Sequence, residues 1–183
     1  GRLGGRVVII SASHDKTLRV CDAETYALVK VVKGHSSGVL GVTLAMRGDT
    51  EVILSASGDK TVRIWHGVTF DLVKVLEGHL GFVNAVTTGK IGGTGVIVSA
   101  SDDTTLRVYR AESFDLLKVL EGHTDEVWDV TMGTSGDSEM IISASEDSTL
   151  RIWGASFAVV GVLRGHTGRV LSVAMRAVCG RAV

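Results

Sequence analysis

The chain is expected to be all-β, a four-stranded antiparallel meander used four times with no helix. Three observations carry this. Ser-Ala-Ser recurs at 11–13, 55–57, 99–101 and 143–145, always 44 residues apart, and self-similarity at a fixed period of this length marks stacked repeats. Short β-branched runs flank each copy, separated by Gly, Asp, Ser and Thr. No segment holds a 3.6-residue apolar period long enough for an amphipathic helix.

Within one unit the elements follow in order. The runs Val7–Ile10, Val52–Leu54, Val96–Val98 and Met140–Ile142 lead into Ser-Ala-Ser as one strand. A turn follows, carrying Asp15, Asp59, Asp103 and Asp147, then Thr17, Thr61, Thr105 and Thr149. The next strand holds Arg19, Arg63, Arg107 and Arg151 among apolar neighbours. Leu72–Leu76 illustrates the strand before each Gly-His, and Val127–Val130 the strand after it. Strands of four to seven residues are expected. Gly-His recurs at 34–35, 78–79, 122–123 and 165–166.

Composition fits this reading. The 183 residues include 23 glycines and no proline, where average usage would give roughly nine prolines; collagen and PxxP ligands are excluded. Apolar residues make up 45% and aromatics 5%, so the core must be Val, Ile, Leu and Ala. Mean hydropathy is +0.30, yet no apolar run reaches a membrane span. The apolar excess belongs to strands buried on both faces. A net charge of −1 argues against a general nucleic-acid binder. Cys21 and Cys179 form no CxxC, so no zinc site or disulfide framework is expected, and two reduced thiols point to a cytoplasmic or nuclear setting. No P-loop, HExxH or EF-hand loop is present; no metal and no cofactor are expected.

The pattern Gly-His, strand, Ser-Ala-Ser-x-Asp-x-Thr-x-Arg-x-Trp resembles the WD40 repeat of β-propellers over nearly the whole chain. The fold expected is therefore WD40-type propeller blades, four of them or a fragment of a larger propeller, in repeat units of about 7–51, 52–95, 96–139 and 140–183. The sequence departs from the family at the Trp position, which reads Cys21, Trp65, Tyr109 and Trp153, and at the following Asp, which reads Asp22, His66, Arg110 and Gly154. Glycine takes the place of proline in turns such as Gly48-Asp49.

A recurring His, Ser and Asp resembles a hydrolase triad. A catalytic set is used once, however, and this one appears in every unit. The resemblance implies structural tetrads: His35 with Ser55, Asp59 and Trp65; His79 with Ser99, Asp103 and Tyr109; His123 with Ser143, Asp147 and Trp153. Ser57, Ser101 and Ser145 lie on the same strand face, so the serine assignment stays open. His14 and His66 fall outside the pattern. Lys30, Lys74 and Lys118 read as outer-strand charges that discourage edge pairing.

The chain opens on Gly1, and a fragment is one expectation. By the Gly-His rule it would begin with the second strand of a blade and close with a first strand at Val170–Met175. Three arrangements satisfy this: a piece of a larger array, a self-closed ring of four blades in which that segment joins the N-terminal strands, or two chains completing one ring.

The family resemblance implies an interaction scaffold that binds proteins at the channel rim. Contact positions map to Gly38, Leu40 and Gly58; Phe82, Asn84 and Asp102; Glu126, Trp128 and Glu146; and Arg169, Leu171 and His14. The expected partner-binding set is Phe82, Asn84, Asp102, Glu126, Trp128 and Glu146, and the expected partner a protein or peptide with a basic segment, neither nucleic acid nor membrane. The alternative is a sensor segment of a larger signalling protein. No unique acid, base or nucleophile is present, so no enzyme activity is expected.

Overall fold

The computed structural model describes residues 2–175. These contain sixteen strands and no helix, hence none long and apolar enough to cross a membrane. The strands form four four-stranded antiparallel sheets. The first contains β1 (Arg2–Leu3), β2 (Arg6–Ala12), β3 (Thr17–Asp22) and β4 (Leu28–Lys33); the second contains β5 (Val39–Arg47), β6 (Thr50–Ser57), β7 (Val62–His66) and β8 (Leu72–Leu76). The third contains β9 (Val83–Ile91), β10 (Thr94–Ser101), β11 (Leu106–Arg110) and β12 (Leu116–Leu120); the fourth contains β13 (Val127–Ser135), β14 (Ser138–Ser145), β15 (Leu150–Trp153) and β16 (Val159–Leu163).

Each sheet is a blade with strands in chain order. The inner strands β5, β9 and β13 pack side by side. They run nine residues, longer than the expected four to seven, because the first-to-second strand turn is only two residues long: Arg47 pairs Thr50, Ile91 pairs Thr94 and Ser135 pairs Ser138. Such tight hairpins need positive φ at the first turn residue. Gly48, Gly92 and Gly136 supply it, with φ of 58°, 57° and 58°. This is how the chain makes these turns without proline.

The cores lie between blades. Side chains alternate across a strand, so β6 sends Ile53 into the cluster shared with the first blade (Leu18, Val20 and Val32) and Val52, Leu54 and Ala56 into the cluster shared with the third (Val83, Val86 and Ile97). A third cluster joins Val96, Val98 and Val108 to Val130, Ile141 and Trp153. Burying both faces makes Val52–Leu54 of β6 and Val96–Val98 of β10 unbroken apolar runs and accounts for the high hydropathy. Each fully buried Ile or Leu contributes about 2 kcal/mol.

Two expectations about the ends are corrected. The first blade does not begin with its second strand, because β1 pairs Arg2 with Val7 and Leu3 with Arg6 and so occupies the last rungs of the inner-strand position. Among the described residues the segment Val170–Met175 forms no ladder, and it does not join the first blade. It contacts the fourth blade as each inner strand contacts the blade before it. The Val170 amide donates to the Ser145 carbonyl at 2.9 Å, and the Ser172 hydroxyl and Val173 amide donate to Asp129 at 2.6 and 2.9 Å. The segment thus runs beside β13. The part of the last expected unit from 176 to 183, with Cys179, lies outside the described residues.

Candidate functional site

The repeated polar residues form the frame. His35 bridges Asp59 Oδ2 through Nδ1 and Ser55 Oγ through Nε2, both at 2.7 Å. His79 does the same with Asp103 and Ser99 (2.7 and 2.8 Å), and His123 with Asp147 and Ser143 (2.7 and 2.8 Å). The Trp65 and Trp153 indole N–H groups donate to Ser55 and Ser143 at 2.9 and 3.0 Å. The open serine assignment thus falls on Ser55, Ser99 and Ser143. Ser57 binds the Gly38 carbonyl, Ser145 the Asp125 carbonyl, and Ser101 accepts the Asp103 amide.

Tyr109 departs from its expected role. Its hydroxyl points to the Glu77 carbonyl, 3.5 Å away, rather than to Ser99. The phenol carries its only donor at the far tip of the ring, past the place where an indole presents N–H.

Burial raises the Asp59 carboxyl, but hydrogen bonds from Thr61, His35 and the Ser36 amide outweigh it and hold the group at about 2. Asp147 is held at about 2 in the same way, opposed by burial and lowered by Thr149, His123 and the Thr124 amide. Asp103 is lowered too. Burial pushes His35 and His123 below their ordinary 6.5 despite the facing carboxylates. The His35–Asp59 and His123–Asp147 pairs are therefore carboxylate with neutral imidazole at neutral pH. The frame has the Asp-His-Ser order of a triad, but Ser55 and Ser143 are fully buried and also bound by Trp N–H, so no substrate can reach them.

The rim sits above this frame. In each of three blades the residue before the turn Asp donates its amide to the residue before the inner strand: Gly58 to Gly38, Asp102 to Phe82 and Glu146 to Glu126, all at 2.9 Å. The inner strand then loses register against its neighbour, between Val39 and Gly41, opposite Ala100/Ser101, and between Val127 and Asp129. Leu40, Asn84 and Trp128 are the unpaired residues of these bulges. A bulge re-aims its side chain, and here it turns position two of each inner strand toward the rim. Sequence reading reached these residues only through family likeness; the bulge itself has no residue signature.

The rim differs from blade to blade. Gly38 and Gly58 leave Leu40 as the large side chain among the second blade's three mapped rim positions. On the third, Phe82 is 51% exposed beside Leu80 at 80%. Asn84 is buried, its amide donating to Asp102 at 2.5 Å and to the Val127 carbonyl of the next blade at 3.0 Å, so it ties blades together. On the fourth, Trp128 is half-buried and its indole N–H donates to Glu146 at 2.8 Å. Glu126, half-buried, is raised above its ordinary value by desolvation and then by Asp102, Asp125 and Glu146. Four carboxylates thus lie within electrostatic reach of Glu126 or belong to it, and one of them, Glu146, holds the Trp128 indole. The exposed Arg169 guanidinium approaches Glu146 at 3.5 Å. His14, on the first blade, is exposed and lies against Gly38. Leu171 is 60% exposed.

Among the described residues no group of three His, Cys, Asp or Glu side chains is arranged to hold a metal ion. A family model described as WD domain, G-beta repeat matches residues 26–66, 70–110 and 114–154, more than half of the chain. No curated protein matches it.

Proposed function

The chain belongs to the WD40 repeat family, whose repeats commonly serve as protein-interaction scaffolds, and from that premise we propose that it is a non-catalytic scaffold whose rim on the third and fourth blades takes a basic peptide or protein segment. The observation that carries this is the gathering of Glu126, Asp102, Asp125 and Glu146, whose charges add to desolvation in raising the Glu126 carboxyl, with Glu146 bound to the Trp128 indole and Asp102 bonded to the backbone of the exposed Phe82. Like charges gathered without enough internal cations favour an incoming cation. An aromatic face with carboxylates around it suits a Lys or Arg side chain. Arg169 already places a guanidinium on Glu146 while remaining 56% exposed, so a partner's arginine has a contact to take over. Phe82 and Trp128 supply the apolar anchors typical of energetic centres in interfaces.

The test is titration of a lysine/arginine-rich peptide, followed by tryptophan fluorescence or calorimetry. Binding is expected to weaken at least tenfold in Glu126→Ala/Trp128→Ala, with the thermal transition kept within a few degrees, and to weaken with salt. Unchanged affinity in a folded variant contradicts the assignment of the rim.

A further inference from the structure

We propose that the groove between the second and third blades, at the end of the strands away from the rim, binds an acidic peptide segment that inserts one large apolar side chain. The rim residue Phe82 precedes β9, whereas Lys90 of the groove lies near the end of that strand. Two adjoining cavities form the groove. The inner one, about 240 Å³, has a floor of Val52, Leu54, Val96, Ile97 and Phe114. The outer one, about 470 Å³, runs past the hairpin turns at Gly48 and Gly93. Met46, 58% exposed, lines both, as does Arg47.

One repeat position has changed its chemistry here. Leu3, Arg47 and Ile91 are equivalent, each pairing across a two-residue turn, with Arg6, Thr50 and Thr94. Leu3 and Ile91 are buried, in cores against which the half-buried Phe70 and Phe157 pack. The core between the second and third blades has Phe114 in the same place but no apolar partner from this position. Arg47 is exposed instead. Its guanidinium lies over the Phe114 ring at 4.6 Å and its Nε donates to the Glu112 carbonyl at 3.0 Å. The space that an isoleucine would fill is left open beneath it.

Charge and size select the occupant. Arg47, Lys90 and Arg110 line the two cavities against a single carboxylate, Glu112. Among the described residues none of the three cations has an ion-pair partner. The equivalent groove between the third and fourth blades has the opposite sign, with Asp137 and Glu139 in its lining and neither Arg nor Lys. Guanidinium groups with free N–H edges suit incoming carboxylates. The inner cavity, about 240 Å³, is smaller than the roughly 300 Å³ at which small-molecule sites begin. It takes one large side chain, to which the flexible Met46 can adapt, and the outer cavity gives the flanking chain its path. The carboxylates of the rim repel the same peptide, so the two ends of the strands sort partners by charge.

The test is calorimetric titration of the full chain with the peptide Gly-Glu-Asp-Leu-Asp-Glu-Gly. Saturable binding that weakens with salt is expected. Alanine in place of the peptide's leucine should weaken it at least tenfold. So should Arg47→Ile, which fills the groove as Ile91 fills its own core, and Lys90→Glu/Arg110→Glu, which reverses the charge at the mouth. Both variants should keep the thermal transition of the parent. Glu126→Ala/Trp128→Ala should leave this affinity unchanged, which separates the groove from the rim. Absence of saturable binding, affinity indifferent to Arg47→Ile and to Lys90→Glu/Arg110→Glu, or loss of binding in the rim variant each overturns the proposal. Hexanoate binding as tightly as the peptide overturns the assignment of a peptide.

Discussion

The first and second blades carry nearly the same signature and experience different environments. Both contain Ser-Ala-Ser, Asp-x-Thr and Arg in register. In the second blade Ser55 and Ile53 are fully buried, and Asp59 accepts from His35, Thr61 and the Ser36 amide. In the first, Ser11 is exposed, Ile9 is half exposed, and Asp15 binds only within its own turn, to Thr17. The turn is therefore local, whereas burial and the tetrad depend on the inner strand and the preceding Gly-His. A repeat motif specifies the bend; the neighbour supplies the core.

Paired substitutions break this comparison most strongly at the isoleucines. Ile53→Ala is expected to cost about 3 kcal/mol, from lost burial and the cavity left behind, while Ile9→Ala in dilute solution costs under about 1 kcal/mol; chemical denaturation measures both. Next come the turn carboxylates. Asp59→Ala should cost about 3 kcal/mol, since a buried imidazole and a backbone amide lose their acceptor. Asp15→Ala should move the midpoint far less. Similar losses at Asp15 and Asp59 would mean that the turn, not the tetrad, carries the stability.

Acid sharpens the same contrast. His35 and His123 have folded values below 6.5, so the unfolded chain binds protons more readily, and their stability is present above about 6.5 and lost as pH falls through their folded values. Asp59 and Asp147, lowered to about 2, add stability that is present above their ordinary 3.8 and lost as pH falls toward 2. The melting temperature should be level above pH 7 and decline in two stages below it. Asp59→Asn, tested by the same melting series, should flatten the lower stage.

The smallest effects separate Trp from Tyr. Trp153→Tyr should cost about 1–2 kcal/mol through loss of the indole bond to Ser143. Tyr109→Phe should cost under about 0.5 kcal/mol, because its hydroxyl makes only a 3.5 Å contact. Thermal denaturation of the two variants compares them directly.

Much of the fold was legible because its determinants are local and repeated: β-branched runs, glycine turns, and the spacing that brings His, Ser and Asp together. Three features were not. The bulges that re-aim Leu40 and Trp128 come from strand register and leave no residue pattern. The departure of Tyr109 depends on where a ring carries its donor. The course of Val170–Met175 was readable as an inner strand, and its first amide donates to the Ser145 carbonyl as Val39 does to Ser13, but among the described residues it pairs with no second strand. Rim chemistry was legible only as variation among positions that the frame leaves free.

The rim assignment is tested most directly by hydrogen exchange with and without a lysine/arginine-rich peptide. Protection concentrated at Leu80–Asn84, Asp125–Trp128 and the turn at Glu146, and absent in Glu126→Ala/Trp128→Ala, is the predicted result. Protection elsewhere, or a footprint unchanged by the double substitution, would contradict it.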